Sequence, residues 1–209
     1  MCPAAVRVAQ LMPDAAPLAE RLDRLRALEE AAYHKIDPDW RIDLRPPADQ
    51  SVLDRVESQL GRHFSKDAIE LYRWRDGSDG GTWFVPFIDF NALHIAREVY
   101  QGIAHAGAFA VTNAADTIDM VDLFPVFQRE RILLSVRLTR SGSRDTSPLY
   151  VVDLEHGQVT ESARTLRDFV DHLIELFERG QYEAYGRELR WTAPPYGAEP
   201  DMEPYGSGA

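Results

Sequence analysis

The chain has 209 residues, 44% of them hydrophobic, and a net charge of -11 at neutral pH with a sequence pI near 5.0. This length and composition predict one folded domain with extensions and exclude a chain that is disordered throughout. The charge argues against free nucleic acid and an anionic membrane as partners, because both are bound through Lys and Arg. It favours a basic protein partner, although acidity that serves only solubility explains it equally well.

The single cysteine, Cys2, excludes an internal disulfide and a cysteine-based zinc site. The first residues lack the apolar core of a signal peptide, and no stretch approaches the roughly 20 apolar residues of a membrane helix. We therefore expect a cytoplasmic protein.

The first predicted element is an amphipathic helix over residues 17–34, in which leucines fall on one stripe and Pro17 suits the first turn. Residues 36–50 are rich in proline and aspartate, which predicts an extended connector. Within it, Trp40 and Ile42 alternate with charged residues and are spaced to dock as a short edge segment.

Two short helices are predicted next. Apolar residues at helical spacing indicate a helix over 51–60, with Gly61 as its stop. A second helix is predicted over 66–74, with Ser65 as its N-cap. The sequence RDGSDGG that follows it is typical of a turn.

A short strand over residues 82–87 and a fourth helix within 89–107 come next. Asn91 or Asp89 is the predicted cap of this helix. Residues 106–117 show no clear period and are predicted to be irregular.

The period then changes from helical to extended. Runs rich in β-branched and aromatic residues predict four strands joined by short connections, which must therefore be antiparallel. The predicted strands are 123–127, 132–138, 148–154 and 159–162.

A closing helix is predicted over residues 165–180, with Thr165 in a capping box and Gly180 as its stop. Residues 181–191 are read as its extension, and the acidic Pro/Gly-rich segment 192–209 as an exposed tail.

The order of these elements predicts an α+β fold, in which an antiparallel meander packs against N-terminal helices and a C-terminal helix. Residues 1–49 are expected to form a helical extension and connector, residues 50–190 the α+β domain, and residues 191–209 the tail.

Four segments in this order resemble the SUKH (Smi/Knr-like) superfamily. They are FSKDAIELYRWRDGSDGG, with Tyr72, Trp74, Asp76 and Gly77 at the family's aromatic–glycine joint; WFVPFIDFNAL; LFPVF followed by ILLSVRL; and PLYVVDLEHGQV followed by TLRDFVDHLIELF. Together they lie within residues 50–180. The chain departs from the family pattern at QRER, where a Gly-Gly-Asp cluster is usual, and at Arg137, where an aspartate is usual.

The resemblance implies an α+β scaffold without catalytic residues. For a bacterial member it implies an immunity protein that binds and blocks a cognate toxin, often a nuclease. The alternative that it leaves open is a Smi/Knr-like regulatory or scaffold protein that binds a cellular partner. We expect a monomer that uses no cofactor.

The partner is expected to bind a surface of acids and aromatic anchors, an arrangement common in protein interfaces. Core packing is the competing interpretation of the aromatic residues. Six aspartates are predicted as charge contacts and two tryptophans as anchors: Trp74, Asp76, Asp79, Trp83, Asp89, Asp116, Asp119 and Asp122.

Enzymatic alternatives have weaker support. On a helix, Asp116, Asp119 and Asp122 would share a side able to hold a hard cation, and a metal-dependent hydrolase is the corresponding hypothesis. No EF-hand glycine lies among them, so solvated or partner-facing acids are the favoured interpretation. The histidines form no HExxH motif, GSDGG lacks the Lys of a phosphate loop, and no GxSxG elbow occurs. We therefore predict no metal and no enzymatic activity.

Overall fold

A computed structural model describes residues 16–78, 84–86, 88–105, 110–113, 116–140, 145–192 and 195. Within these residues, five α-helices and a five-stranded antiparallel sheet form an α+β fold, which confirms the predicted class. The helices are α1 (Leu18–Tyr33), α2 (Gln50–Leu60), α3 (Lys66–Trp74), α4 (Leu93–His105) and α5 (Leu166–Glu178). None of the described helices is both long and apolar enough to cross a membrane.

The main sheet has the strand order β1-β4-β5-β6-β7, and the described residues form two further hairpins, β2–β3 and β8–β9. Strands β4 to β7 follow one another as a meander, and β1 pairs with the outer side of β4. The strands are β1 (Asp89–Phe90), β2 (Ala110–Asn113), β3 (Asp116–Asp119), β4 (Leu123–Arg129), β5 (Ile132–Arg137), β6 (Leu149–Asp153), β7 (Gln158–Ala163), β8 (Tyr182–Tyr185) and β9 (Glu188–Trp191).

Both faces of this sheet are covered, because side chains alternate between two apolar clusters. In β5, Ile132 and Leu134 belong to the larger cluster and Leu133 to the smaller one. Helices α1, α3 and α5 contribute to the larger cluster, while Ile118 and Met120 cover the smaller one. The sheet is thus an interior layer, and its ends and edges are the parts left for contacts with other molecules.

Helix α1 is part of the larger core cluster. Leu18, Leu22 and Leu25 are fully buried. Two basic residues of α1 form ion pairs with acids of α5, Arg21 with Asp171 and Arg24 with Glu178. The helix that the sequence assigned to an extension therefore shares one core with the predicted α+β domain.

The helix caps and stops that were predicted from residues next to each helix end are confirmed for α2, α3 and α5. The Ser65 and Thr165 hydroxyls accept hydrogen bonds from the backbone N–H groups three residues on, at 3.3 and 3.0 Å. Gly61 closes α2 in the left-handed region, and Gly180, also at positive φ, follows α5.

The prediction that α5 continues through residues 181–191 is wrong, because this segment forms the β8–β9 hairpin. Gly180 ends the helix, and Gly186, with φ 63°, lies in the two-residue turn of the hairpin. Tyr182 and Trp191 then pack against Phe177 of α5, with ring centroids 5.4 and 4.9 Å away. Burial of aromatic surface thus outweighs helix continuation.

Two other predictions need correction. Residues 106–117 are not irregular throughout, since β2 and the first part of β3 lie within them. The predicted strand over 82–87 is not found in its described part, residues 84–86. Val85 instead forms an isolated bridge with Ile88 across a tight turn. Pro86 has no N–H to donate to a strand partner, which favours the turn.

Glu57 closes the turn between α2 and α3. Its carboxylate accepts the backbone N–H of the fully buried Phe64 at 2.8 Å and lies 3.5 Å from Nδ1 of His63. We expect Glu57→Ala to lower the free energy of unfolding by about 2 kcal/mol, because a buried N–H loses its acceptor. Urea denaturation measures this change. The control is Asp54→Ala on the exposed side of α2, expected to cost less than about 0.5 kcal/mol; equal losses in the two variants would contradict the assignment.

Candidate functional site

Trp74, predicted as an exposed anchor, belongs to the core. Its exposed fraction is 6%, and its ring packs edge-on against Phe84 with centroids 5.8 Å apart. The indole N–H donates to Asp23 Oδ1 of α1 at 2.9 Å. Both its apolar surface and its polar atom are used inside the protein, so Trp74 has no exposed ring to offer a partner.

Asp76 is a structural cap for α4. Its Oδ1 accepts the backbone N–H of Leu93 at 2.8 Å, and its Oδ2 lies 3.9 Å from Arg45 Nε. The predicted caps are wrong: Asp89 lies in β1, and the Asn91 amide donates instead to the Pro125 carbonyl. A carboxylate at a helix N-terminus is favoured by the helix dipole, so Asp76 is committed to the fold.

The aspartates after α4 do not form one cluster on a helix. Asp116 and Asp119 are the ends of strand β3, and Asp122 ends a short 3-10 turn. Asp119 caps that turn by accepting the N–H of Val121 at 3.1 Å. Among the described residues, no group of three or more His, Cys, Asp or Glu is placed to hold a metal ion. Asp79 and Trp83 lie outside the described residues.

Asp89 lies in β1, the edge strand of the sheet, next to a contact between the connector and Ser78. Leu44 forms an isolated bridge with Ser78, and the Ser78 N–H donates to the Phe90 carbonyl at 2.8 Å. Phe90 is buried and Leu44 packs against the core. Neighbouring residues of an extended chain point to opposite faces, so Asp43 and Asp89 point away from the core.

We call the outward face formed by Asp43 and Asp89 the β1-edge surface. Asp43 is exposed and Asp89 is half-buried. Partial burial raises the pKa of Asp89 above its ordinary value. A partly desolvated carboxylate interacts more strongly with an incoming cation than a fully hydrated one does, which suits this surface to Lys or Arg of a partner. The sequence pointed to Asp89 through its charge but gave no reason to pair it with Asp43.

Asp122 lies at the far end of β5 from Asp89, beside arginine side chains. Its Oδ1 is 3.1 Å from Arg62 Nε and 3.8 Å from Arg140, and only 14% of its side chain is exposed. Two guanidinium groups therefore lie beside this mostly buried carboxylate, which leaves little of its charge exposed to a partner. With Arg137 it lines an open depression of about 590 Å³, which we call the arginine depression.

Sequence reasoning missed the arginine depression, although a signal was present. Residues 126–152 carry five arginines and two acids in a chain whose net charge is -11. Arg62, which completes the setting, is 60 residues from Asp122 in the chain, so only the fold brings them together.

Comparison of the chain with models of known protein families and with curated proteins found no match. Function is therefore inferred from the charge of the chain and from the acidic β1-edge surface.

Proposed function

We propose that this chain is a non-enzymatic binding protein of the SUKH (Smi/Knr-like) type that acts as a cytoplasmic immunity protein. It binds a cognate, basic toxin, such as a nuclease, through an acidic surface and blocks the toxin's active site. The β1-edge surface is the centre of the contact on this chain.

The order of the elements supports the family assignment. Helices α2 and α3, the short β1, α4, the meander and α5 follow one another as the resemblance implies. The residues that carry the resemblance meet at one junction. Tyr72 Oη donates to the Asn91 carbonyl at 3.2 Å, and Asp76 caps α4, which begins two residues after Asn91. Residues that hold a fold together are those that a shared architecture would require.

The observation that carries the proposal is the net charge of -11 together with two carboxylates that point away from the core, Asp43 in the connector and Asp89 on the edge strand β1. A nuclease must attract phosphates, so its substrate cleft is basic. An acidic protein is attracted to that cleft by complementary fields, which speed encounter and favour correct docking. The enzyme is then inhibited by occupation of its cleft, without chemistry in the inhibitor.

Coexpression with the product of the neighbouring gene in a bacterial host tests the proposal. We expect the chain to rescue growth and to purify with that product. Asp43→Asn with Asp89→Asn should slow association at low salt by about tenfold and flatten its salt dependence, because steering charges are lost.

The matched control is Glu161→Lys, which changes the net charge by the same amount on β7, the opposite edge of the sheet. It should leave association close to the wild-type rate. Failure to rescue growth or to purify with a toxin would sink the immunity role. Rescue that is impaired equally by both variants would move the contact away from the β1-edge surface. Capture of a non-toxic cellular protein instead would favour the regulatory alternative.

A further inference from the structure

Helix α1 carries an ionisable side chain within its row of core residues. The row follows the alternating spacing of four and three residues that keeps side chains on one face of a helix. Its members, each at most 3% exposed, are Leu18, Leu22, Leu25, Glu29 and Ala32. Glu29 is the one polar member of this row. A pattern that is broken inside a core without compensation is expected where the residue has a role of its own.

The described residues do not compensate the buried carboxyl of Glu29. Neither of its oxygens has a hydrogen-bond partner among them. Arg26, the nearest basic residue along the chain, pairs instead with Glu30 at 3.9 Å. The charges that act on Glu29 and on Tyr33, one turn further along α1, include Glu30 and, from β9, Glu188. An ionised carboxylate without a partner is strongly disfavoured inside a protein, so the closed structure holds Glu29 as a neutral acid.

The two halves of α1 are held in the fold with different strength. The first half contributes three fully buried leucines, and its Arg21 and Arg24 pair with acids of α5. In the second half, residues 26–33, the buried apolar side chains are Ala32 and Tyr33. Because less apolar surface would return to water, the second half leaves the core at a lower cost than the first.

The second half of α1 can open without breaking the main sheet. Residues 34–43, which follow it, belong to no helix or strand. The Tyr33 ring stacks on Trp40 of this stretch with centroids 4.0 Å apart, so the two rings stay together when the segment moves. Strand β9, against which α1 packs, belongs to a separate two-stranded hairpin. Contacts of this kind open locally, at a lower free energy than global unfolding requires.

We infer that residues 26–33 form a pH-sensitive segment, which stays closed while Glu29 carries a proton and opens locally when Glu29 ionises. Opening lets water reach the carboxylate and so removes the cost of a buried charge. Burial raises the pKa of Glu29 well above its ordinary value, so the closed segment holds the proton at pH values at which the open segment has released it. A rising pH therefore favours the open segment. This inference does not depend on the proposed function.

Native-state hydrogen exchange of the whole chain, followed by NMR between about pH 5 and pH 8, tests this inference. After correction for intrinsic exchange, the amides of residues 29–33 should open about tenfold more often per pH unit, up to the folded-state pKa of Glu29. Low concentrations of urea should hardly change these openings, because a local opening exposes little surface. The amides of β5 should open more rarely and with a strong dependence on urea.

Glu29→Gln should remove the pH dependence of these openings, because the amide keeps the shape of the side chain and cannot ionise. Glu20→Gln, at an exposed position in the first turn of α1, is the matched control and should behave like the wild type. Openings of residues 29–33 that are as rare and as urea-dependent as those of β5 would overturn the inference, since α1 would then open only with the whole fold. An unchanged pH dependence in Glu29→Gln would overturn it as well.

Discussion

Gly77→Ala is expected to lower the free energy of unfolding by more than about 4 kcal/mol, or to prevent folding, because two backbone segments meet at this residue. A Cβ at position 77 would lie 2.3 Å from the backbone nitrogen of Ala92 and 2.5 Å from its Cα. Backbone atoms cannot rotate away as a side chain can. The residue also has a φ of 84°, which L side chains rarely adopt.

The close approach at Gly77 has a structural purpose. The Gly77 carbonyl accepts the Arg45 N–H at 2.9 Å, and the preceding Asp76 caps α4 at Leu93. Separating these segments to admit a methyl group would therefore disturb the connector, the β1 edge and the start of α4 together.

Gly61→Ala is the matched control for Gly77→Ala. Gly61 also has a positive φ, 60°, but apart from its chain neighbours no atom of the described residues lies within 4 Å of the position of its Cβ. Only the backbone strain remains, about 1 kcal/mol. Urea denaturation of both variants measures the difference, and similar losses would show that steric contact at Ala92 does not control the stability of this junction.

Local patterns were enough to predict most of the fold. The amphipathic stripe of α5 and the caps at Ser65 and Thr165 depend on residues within a few positions, and the structure bears them out. The hairpin at residues 182–191 could not be predicted in this way, because its Trp191 packs on Phe177 of α5, a contact that no local pattern reveals.

The candidate site was harder to predict for the same reason. A carboxylate in a sequence shows its charge but not its partner. The sequence presents Asp76 as a surface contact, yet Asp76 caps a helix 17 residues away. It presents Asp122 as an exposed acid, although Arg62 and Arg140 lie beside it in the fold. Asp89, by contrast, is left half-exposed by its position on β1.

Glu29 of α1 is an exception to the pairing of buried charges in this fold. It is fully buried, and neither carboxylate oxygen has a hydrogen-bond partner among the described residues. Burial, and then the nearby charge of Glu30, raise the pKa of Glu29 well above its ordinary value. In turn, burial and the charge of Glu29 raise the pKa of Tyr33. The carboxyl group is therefore held in its neutral form across a wider pH range than in the unfolded chain.

This raised pKa makes the stability of the protein depend on pH. The unfolded chain ionises near the ordinary carboxyl pKa, about 4.3, while the folded chain still holds the proton. The contribution is fully present below that pKa and is lost as the pH rises towards the folded-state pKa, at about 1.4 kcal/mol per pH unit. Glu29 thus weakens the fold at neutral pH compared with a side chain that does not ionise.

Glu29→Gln is expected to raise the free energy of unfolding by roughly 2 kcal/mol near neutral pH and to give little or no gain near pH 4, because the amide keeps the shape but cannot ionise. Urea denaturation across this pH range measures the difference. Glu20→Gln, at an exposed position in the first turn of the same helix, is the control and should change stability by less than about 0.5 kcal/mol. A gain from Glu29→Gln that is the same at both ends of the range would mean that the buried carboxyl does not control the pH dependence. A gain that grows with pH would show that burial of the Glu29 carboxyl in α1 lowers the stability of the protein at neutral pH.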